Sequence, residues 1–281
     1  MLLGRRIAGL LGSIAVTSTL CLASGDLDQQ LQANLSHTLE GRETTLKAFY
    51  TGHTLKFDEA GHLVHPGNVG PWTLYSKIVV SAVTFHDHSL RIEANRIAAR
   101  FDHGTPVYLK TDDQVELSIP LNGTASDNET VRQALATIFL APTERLSDFV
   151  PSYWQESVRA LETSSNAIVS TSESIFSKRT RVKPAFFHPN QGITPPEPIK
   201  APYPEYPEKN RLNRIEGTTV LGIIVDESGM VHDPEVLSPV GLGFDDEAVR
   251  TVQNWKFRPA TKNGARISVR FRVEVNFRLR R

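Results

Sequence analysis

The chain has 281 residues, with 31 Lys and Arg balanced by 31 Asp and Glu, and 40% of its residues are hydrophobic. A formal net charge of +0 gives no electrostatic ground for binding nucleic acid or an acidic membrane surface in bulk. The length suits two globular domains with connecting segments, and the single cysteine, Cys21, excludes an intramolecular disulfide.

Arg5 and Arg6 form a short basic region, and residues 7–23 are uncharged and rich in Leu, Ala, Ile and Val. Ala23, Ser24 and Gly25 then offer small residues where a signal peptidase cuts. Residues 1–25 therefore read as a signal peptide, cleaved after Gly25 or Ser24, which places the rest of the chain outside the inner membrane. Leu20 before Cys21 disfavours lipidation. The competing reading is an inner-membrane anchor, since residues 7–23 sit at the short limit for crossing a bilayer.

Residues 26–39 carry Leu27, Leu31 and Leu35 at helical spacing. From residue 42 the period changes. Residues 45–50, 54–57 and 63–64 are short strand candidates, and residues 72–85 and 90–101 are the longest pair, joined at His86 and His88. Residues 106–110 and 115–121 add two more, separated by Thr111, Asp112 and Asp113. Together they predict an antiparallel β meander. Residues 130–140 then turn helical, with Asp127 or Asn128 as N-cap, and residues 146–161 predict a second helix interrupted at Pro151. The first domain is thus expected over residues 26–162, with helices packed on the meander.

Residues 163–202 read as a Ser- and Pro-rich linker. Prolines at 195, 196, 198, 202, 204 and 207 favour an extended polyproline II spacer. At ~3.1 Å per residue, residues 194–207 would reach roughly 40 Å.

The last domain, residues 203–281, shows the order β-β-α-β. Residues 217–226 and 230–238 form a hairpin around Gly229. Residues 244–255 form a helix with Phe244, Ala248, Val252 and Trp255 on one face, and Asp245, Asp246 and Glu247 in its first turn favour the helix dipole. The closing strand is the strongest signal in the chain. Ile267, Val269, Phe271, Val273, Val275, Phe277 and Leu279 alternate with Ser268, Arg270, Arg272, Glu274, Asn276 and Arg278. Strict period two predicts one buried face and one solvated, arginine-rich face. The fold class is α+β.

No chemistry stands out elsewhere. There is no GxSxG, P-loop or GxGxxG pattern, and no Ser, His and acid grouping, so no catalytic residue is assigned and an enzyme is not expected. His62 with His65, His86 with His88, and His103 are the metal candidates. They fall in predicted turns with no Cys or HExxH helix in support, so neither metal nor cofactor is expected. Two aromatic pairs, Tyr153 with Trp154 and Phe186 with Phe187, read as packing against the meander or as anchors for a peptide partner.

Residues 203–279 resemble the C-terminal domain of TonB-type energy transducers. The resemblance is carried by Tyr206-Pro207, Arg214-Ile215-Glu216-Gly217, Val225-Asp226 with Gly229, Ser238, Asp245, Ala248, Trp255-Lys256-Phe257, Pro259-Ala260, Gly264, Phe277 and Leu279. It implies a periplasmic domain that binds an extended segment of an outer-membrane TonB-dependent receptor by strand addition. On that basis the partner-binding residues are Ile267, Val269, Arg270, Phe271, Arg272, Val273, Val275 and Phe277. Proline at Val273 or Val275 is then expected to abolish binding without unfolding the domain. Family transducers also engage a proton-driven inner-membrane complex through a Ser and a His on an anchoring helix. Residues 7–23 hold Ser13 and Ser18 but no His, and residues 42–161 have no counterpart in the family. The alternative is an envelope scaffold that forms a homodimer through the last strand, without a transport role.

Overall fold

A computed structural model of the protein describes residues 24–86, 88–121, 128–166, 186–187 and 192–279. The fold is α+β, in two compact units: Met1–Ala99 with Tyr108–Phe149, and Arg100–Val107 with Val150–Arg281. Residues 1–23 of the expected signal peptide and the Asp127 cap lie outside the described residues. Among the described residues, no helix is long and apolar enough to cross a membrane.

The first unit begins with helix α1 (Ser24–Leu39), which buries Leu31, Leu35 and Leu39. Its sheet is built from β1 (Glu43–Thr45), β2 (Thr54–Lys56), β3 (Lys77–His86), β4 (Ser89–Asp102) and β5 (Thr105–Pro120) in the order β1-β3-β4-β5-β2. The predicted all-antiparallel meander needs correction here, because β2 pairs with β5 in parallel at Leu55↔Leu117. Residues 72–76, expected as the start of a strand, instead form the short helix α2 (Trp72–Tyr75), opened by Pro71 as N-cap. The predicted break at residues 111–113 is also absent, and β5 runs straight through. Thr111 turns its hydroxyl onto Arg96 O at 2.8 Å, so a turn-favouring cluster is held extended by its neighbour strand. Helix α3 (Asn128–Ile138) adds Val131, Ala134, Leu135 and Ile138 to one core with Ile78, Val80, Leu90, Ile92, Leu117 and Ile119.

One charge is buried beside that core. Arg96 is 2% exposed. Its Nη2 donates to Tyr50 O at 3.0 Å and Gly52 O at 2.7 Å, and its guanidinium lies 4.7 Å from the Tyr75 ring centre. Through these two carbonyls the side chain ties β4 to the irregular chain after β1. A buried acceptor left unpaired costs about 1–3 kcal/mol. Arg96→Met is therefore expected to lower unfolding free energy by about 2–4 kcal/mol in chemical denaturation.

The second unit contains α4 (Ser152–Asn166), β6 (Ile193–Thr194), β7 (Glu197–Lys200), α5 (Glu208–Leu212), β8 (Gly217–Val225), β9 (Val231–Ser238), α6 (Phe244–Val252), β10 (Lys256–Arg258), β11 (Ala260–Lys262), β12 (Ala265–Ile267) and β13 (Val269–Phe277). Its main sheet has the order β13-β8-β9. Helix α6 covers one face and ends at Val252, so Trp255 lies beyond it rather than on its apolar stripe. Helix α4, expected with the first domain, belongs to this unit. It packs on β9, with the Ser157 hydroxyl donating to Val236 O, and Trp154 is fully buried against Phe101 at 5.9 Å between ring centres.

The Pro-rich segment is not a free spacer. Strand β6 pairs with β11, β7 pairs with β10, and the Trp255 indole donates to Pro202 O at 3.1 Å. An extended proline-rich chain already has nearly strand-like dihedrals, and Pro198 sits on a short edge strand where its missing N–H is tolerated. The closing stretch is also two strands, not one. β12 pairs with β11 and β13 with β8, so the chain changes partner at Ser268 and the ladder breaks there.

Candidate partner-binding edge

Strand β13 lies at one end of the main sheet and pairs along its whole length with β8, from Val269↔Val225 to Phe277↔Gly217. Its alternation does two jobs. The side chains of Val269, Val273, Val275 and Phe277 are buried, with Phe277 4.6 Å from the ring centre of Phe244 in α6 and Tyr206 edge-on to both rings. Arg272, Glu274 and Asn276 project from the other face into solvent.

The same period governs the main chain. Arg270 O accepts from Phe187 N–H at 2.7 Å, so the peptide groups of Arg270 point away from β8. In a regular antiparallel ladder, alternate residues point their N–H and C=O to opposite sides. Arg272, Glu274 and Asn276 thus direct their main-chain groups outward, while Val269, Phe271, Val273, Val275 and Phe277 spend theirs on β8. The eight residues expected at the site are divided by this geometry. Arg270 and Arg272 are on the outer edge, and Phe271 is half-buried between Phe187 and Phe257, with ring centres 6.4 Å from each. Val269, Val273, Val275 and Phe277 hold the strand in the domain. Ile267 is not on this strand, because it pairs with Ala260 in β12. Proline at Val273 or Val275 would therefore break the β8 ladder and unfold the domain, contrary to the expectation above.

Residues that periodicity does not mark complete the edge. Phe186 forms a parallel bridge with Arg270, and its ring lies 3.9 Å from the Arg270 guanidinium and 4.9 Å from that of Arg272. Beneath the ring is Gly222 of β8, where an added Cβ would stand 3.1 Å from the ring. Arg270 is further fixed by an ion pair with Glu235 of β9. The adjacent Phe186-Phe187 pair was legible as an aromatic anchor, but nothing in its spacing names the strand it meets.

Two buried carboxylates anchor α6, Asp245 to the sheet and Asp246 to α4. Asp245 accepts from the Thr219 hydroxyl at 2.8 Å and from the N–H groups of Val240 and Gly241 at 2.9 and 2.7 Å. Burial pushes its carboxyl up to about 7, against the three hydrogen bonds that favour the charged form. Asp246 accepts from the Tyr153 hydroxyl at 3.0 Å, and burial pushes it up to about 6. No three His, Cys, Asp or Glu side chains gather as a metal site among the described residues.

Residues 202–279 match the family described as Gram-negative bacterial TonB protein C-terminal. Residues 202–279 are a TonB-type C-terminal domain. Protein TonB of Vibrio cholerae is 31% identical over 77 residues, a match that takes in 27% of this chain and 32% of the relative. The chain thus spans about a third of the curated relative's length. The solution NMR structure of the Pseudomonas aeruginosa TonB C-terminal domain is also similar. It is 21% identical, with 33% of this chain and 92% of that chain covered and a TM-score of 0.27.

The buried acids of the TonB-type domain carry a pH signature. Both fold with raised pKa values, so the folded state binds protons more firmly than the unfolded chain near 3.8. Their contribution is present below about 4 and is lost as pH rises to 6–7. Asp246→Asn keeps an acceptor for Tyr153 but cannot ionise. The melting temperature of the variant minus that of the parent should therefore increase from pH 4 to pH 7. A constant difference across that range would contradict the assignment.

Proposed function

We propose that the TonB-type domain binds an extended segment of an outer-membrane TonB-dependent receptor in the periplasm, adding it as a strand to β13 in energy-coupled uptake. The observation that carries this reading is the outward main-chain row at Arg272, Glu274 and Asn276, beside which no further strand is paired among the described residues. An open strand edge is a template for another chain. In strand addition, main-chain hydrogen bonds supply affinity and side-chain contacts supply selectivity. Arg272 and Arg278 are exposed on this strand and its exit, so they steer acidic residues of the incoming segment. Arg270 is already committed to Glu235 and contributes position rather than steering.

The family match favours this reading over a scaffold that pairs only with itself. Coupling to a proton-driven inner-membrane complex belongs to the same proposal and depends on residues 1–23 staying in place as an anchor. Either state leaves the receptor-binding edge unchanged.

The test is site-specific photo-crosslinking from position 272 in the intact envelope, with adducts identified by mass spectrometry. The expected adduct is the periplasmic segment of an outer-membrane transporter. Glu274→Pro, which removes an outward N–H without touching the β8 ladder, should reduce it at least about tenfold while the domain stays folded. Adducts formed only with a second copy of the chain would overturn the proposal.

A further inference from the structure

The edge that the proposed function uses is closed at one end by the chain itself. Phe187 N–H donates to Arg270 O at 2.7 Å, and Phe186 bridges Arg270 in the parallel sense, so these two residues occupy the place of an added strand. The side chains lock the arrangement. The Phe186 ring is held under the guanidinium groups of Arg270 and Arg272, and it reaches across β13 to cover Gly222. A side chain at position 222 would crowd that ring, so this glycine supplies the clearance for it. Phe187 meets the Phe271 ring on the neighbouring position. Guanidinium groups over an aromatic face and a main-chain hydrogen bond at a sheet edge are the contacts that recognise an extended aromatic peptide.

We propose that Phe186-Phe187 is a built-in competitor for the β13 edge. It self-associates in parallel with β13, and an incoming segment gains the whole edge only by displacing it. The inference rests on the strand-addition reading for its biological consequence, but the self-occupancy stands or falls by itself. Competition of this kind reduces apparent affinity by the fraction of molecules in which the edge is open. It also sets a chemical preference, because the displacing segment must refill the slot between Arg270, Arg272 and Gly222, which an aromatic residue does best.

The probe is a fluorescent peptide with the sequence of this chain from Lys183 to Asn190, offered to the full chain and to the Phe186→Ala, Phe187→Ala double variant. Both substitutions are at half-buried positions outside the strands of the β13-β8-β9 ladder, so the variant's circular dichroism should match the parent's. The peptide should bind the variant at least about tenfold more tightly than the parent, in line with an edge that is mostly closed. A control peptide with both phenylalanines replaced by alanine should bind neither. Equal binding to both proteins, or no binding to the variant, overturns the proposal. Amide exchange gives an independent readout, since the Phe187 N–H of the parent should be protected, and exchange at the unprotected rate overturns it too. Because the probe is the chain's own segment, these outcomes do not depend on a receptor. An absent transporter adduct alongside a positive peptide result would count against the receptor reading alone.

Discussion

The ladder between β8 and β13 is the constraint on which the rest of the terminal domain depends. It fixes which side chains of β13 face α6, and by the same two-residue period it fixes which peptide groups face outward. A slip of one residue would exchange the two sets, placing Arg272 and Glu274 under α6 and Val273 and Val275 in water. The burial of Val275 and Phe277 at 1% exposure makes that slip costly. The hydrophobic core therefore defends the chemistry of the edge, although no core side chain is available to a partner.

Helix α6 supplies the other half of that defence. Its first turn places Asp245 beneath the loop at Val240 and Gly241 and against Thr219 of β8, so the helix is tied to the same strand that holds β13. Tyr153 of α4 reaches Asp246, and α4 lies along β9 at the opposite end of the sheet. One edge of the sheet is covered by a helix, and the other is left for strand pairing. That asymmetry is a common solution to the hazard of two open edges.

Much of the fold was legible in the sequence. Strict alternation named β13, the apolar stripe named α6, and the turn at Gly229 named the β8–β9 hairpin. What was not legible depended on tertiary partners. The break at Ser268 comes from a change of partner strand, which periodicity does not register. Thr111, Asp112 and Asp113 look like a turn until Arg96 O is offered to the Thr111 hydroxyl. The proline-rich segment looks like a spacer because composition reports its extended backbone and not the β10 and β11 edges it meets. At the site, alternation separated buried from solvated side chains but left the main-chain direction undecided. The hydrogen bond from Phe187 to Arg270 supplies it.

The most direct test of this account is amide hydrogen exchange along β13 in the isolated protein. Protection should alternate, with Phe271, Val273 and Val275 exchanging slowly through their bonds to β8, and Glu274 and Asn276 exchanging fast. Uniform protection along the strand, or the opposite alternation, would mean that the outward row is not the one described, and the proposed edge would have to be abandoned.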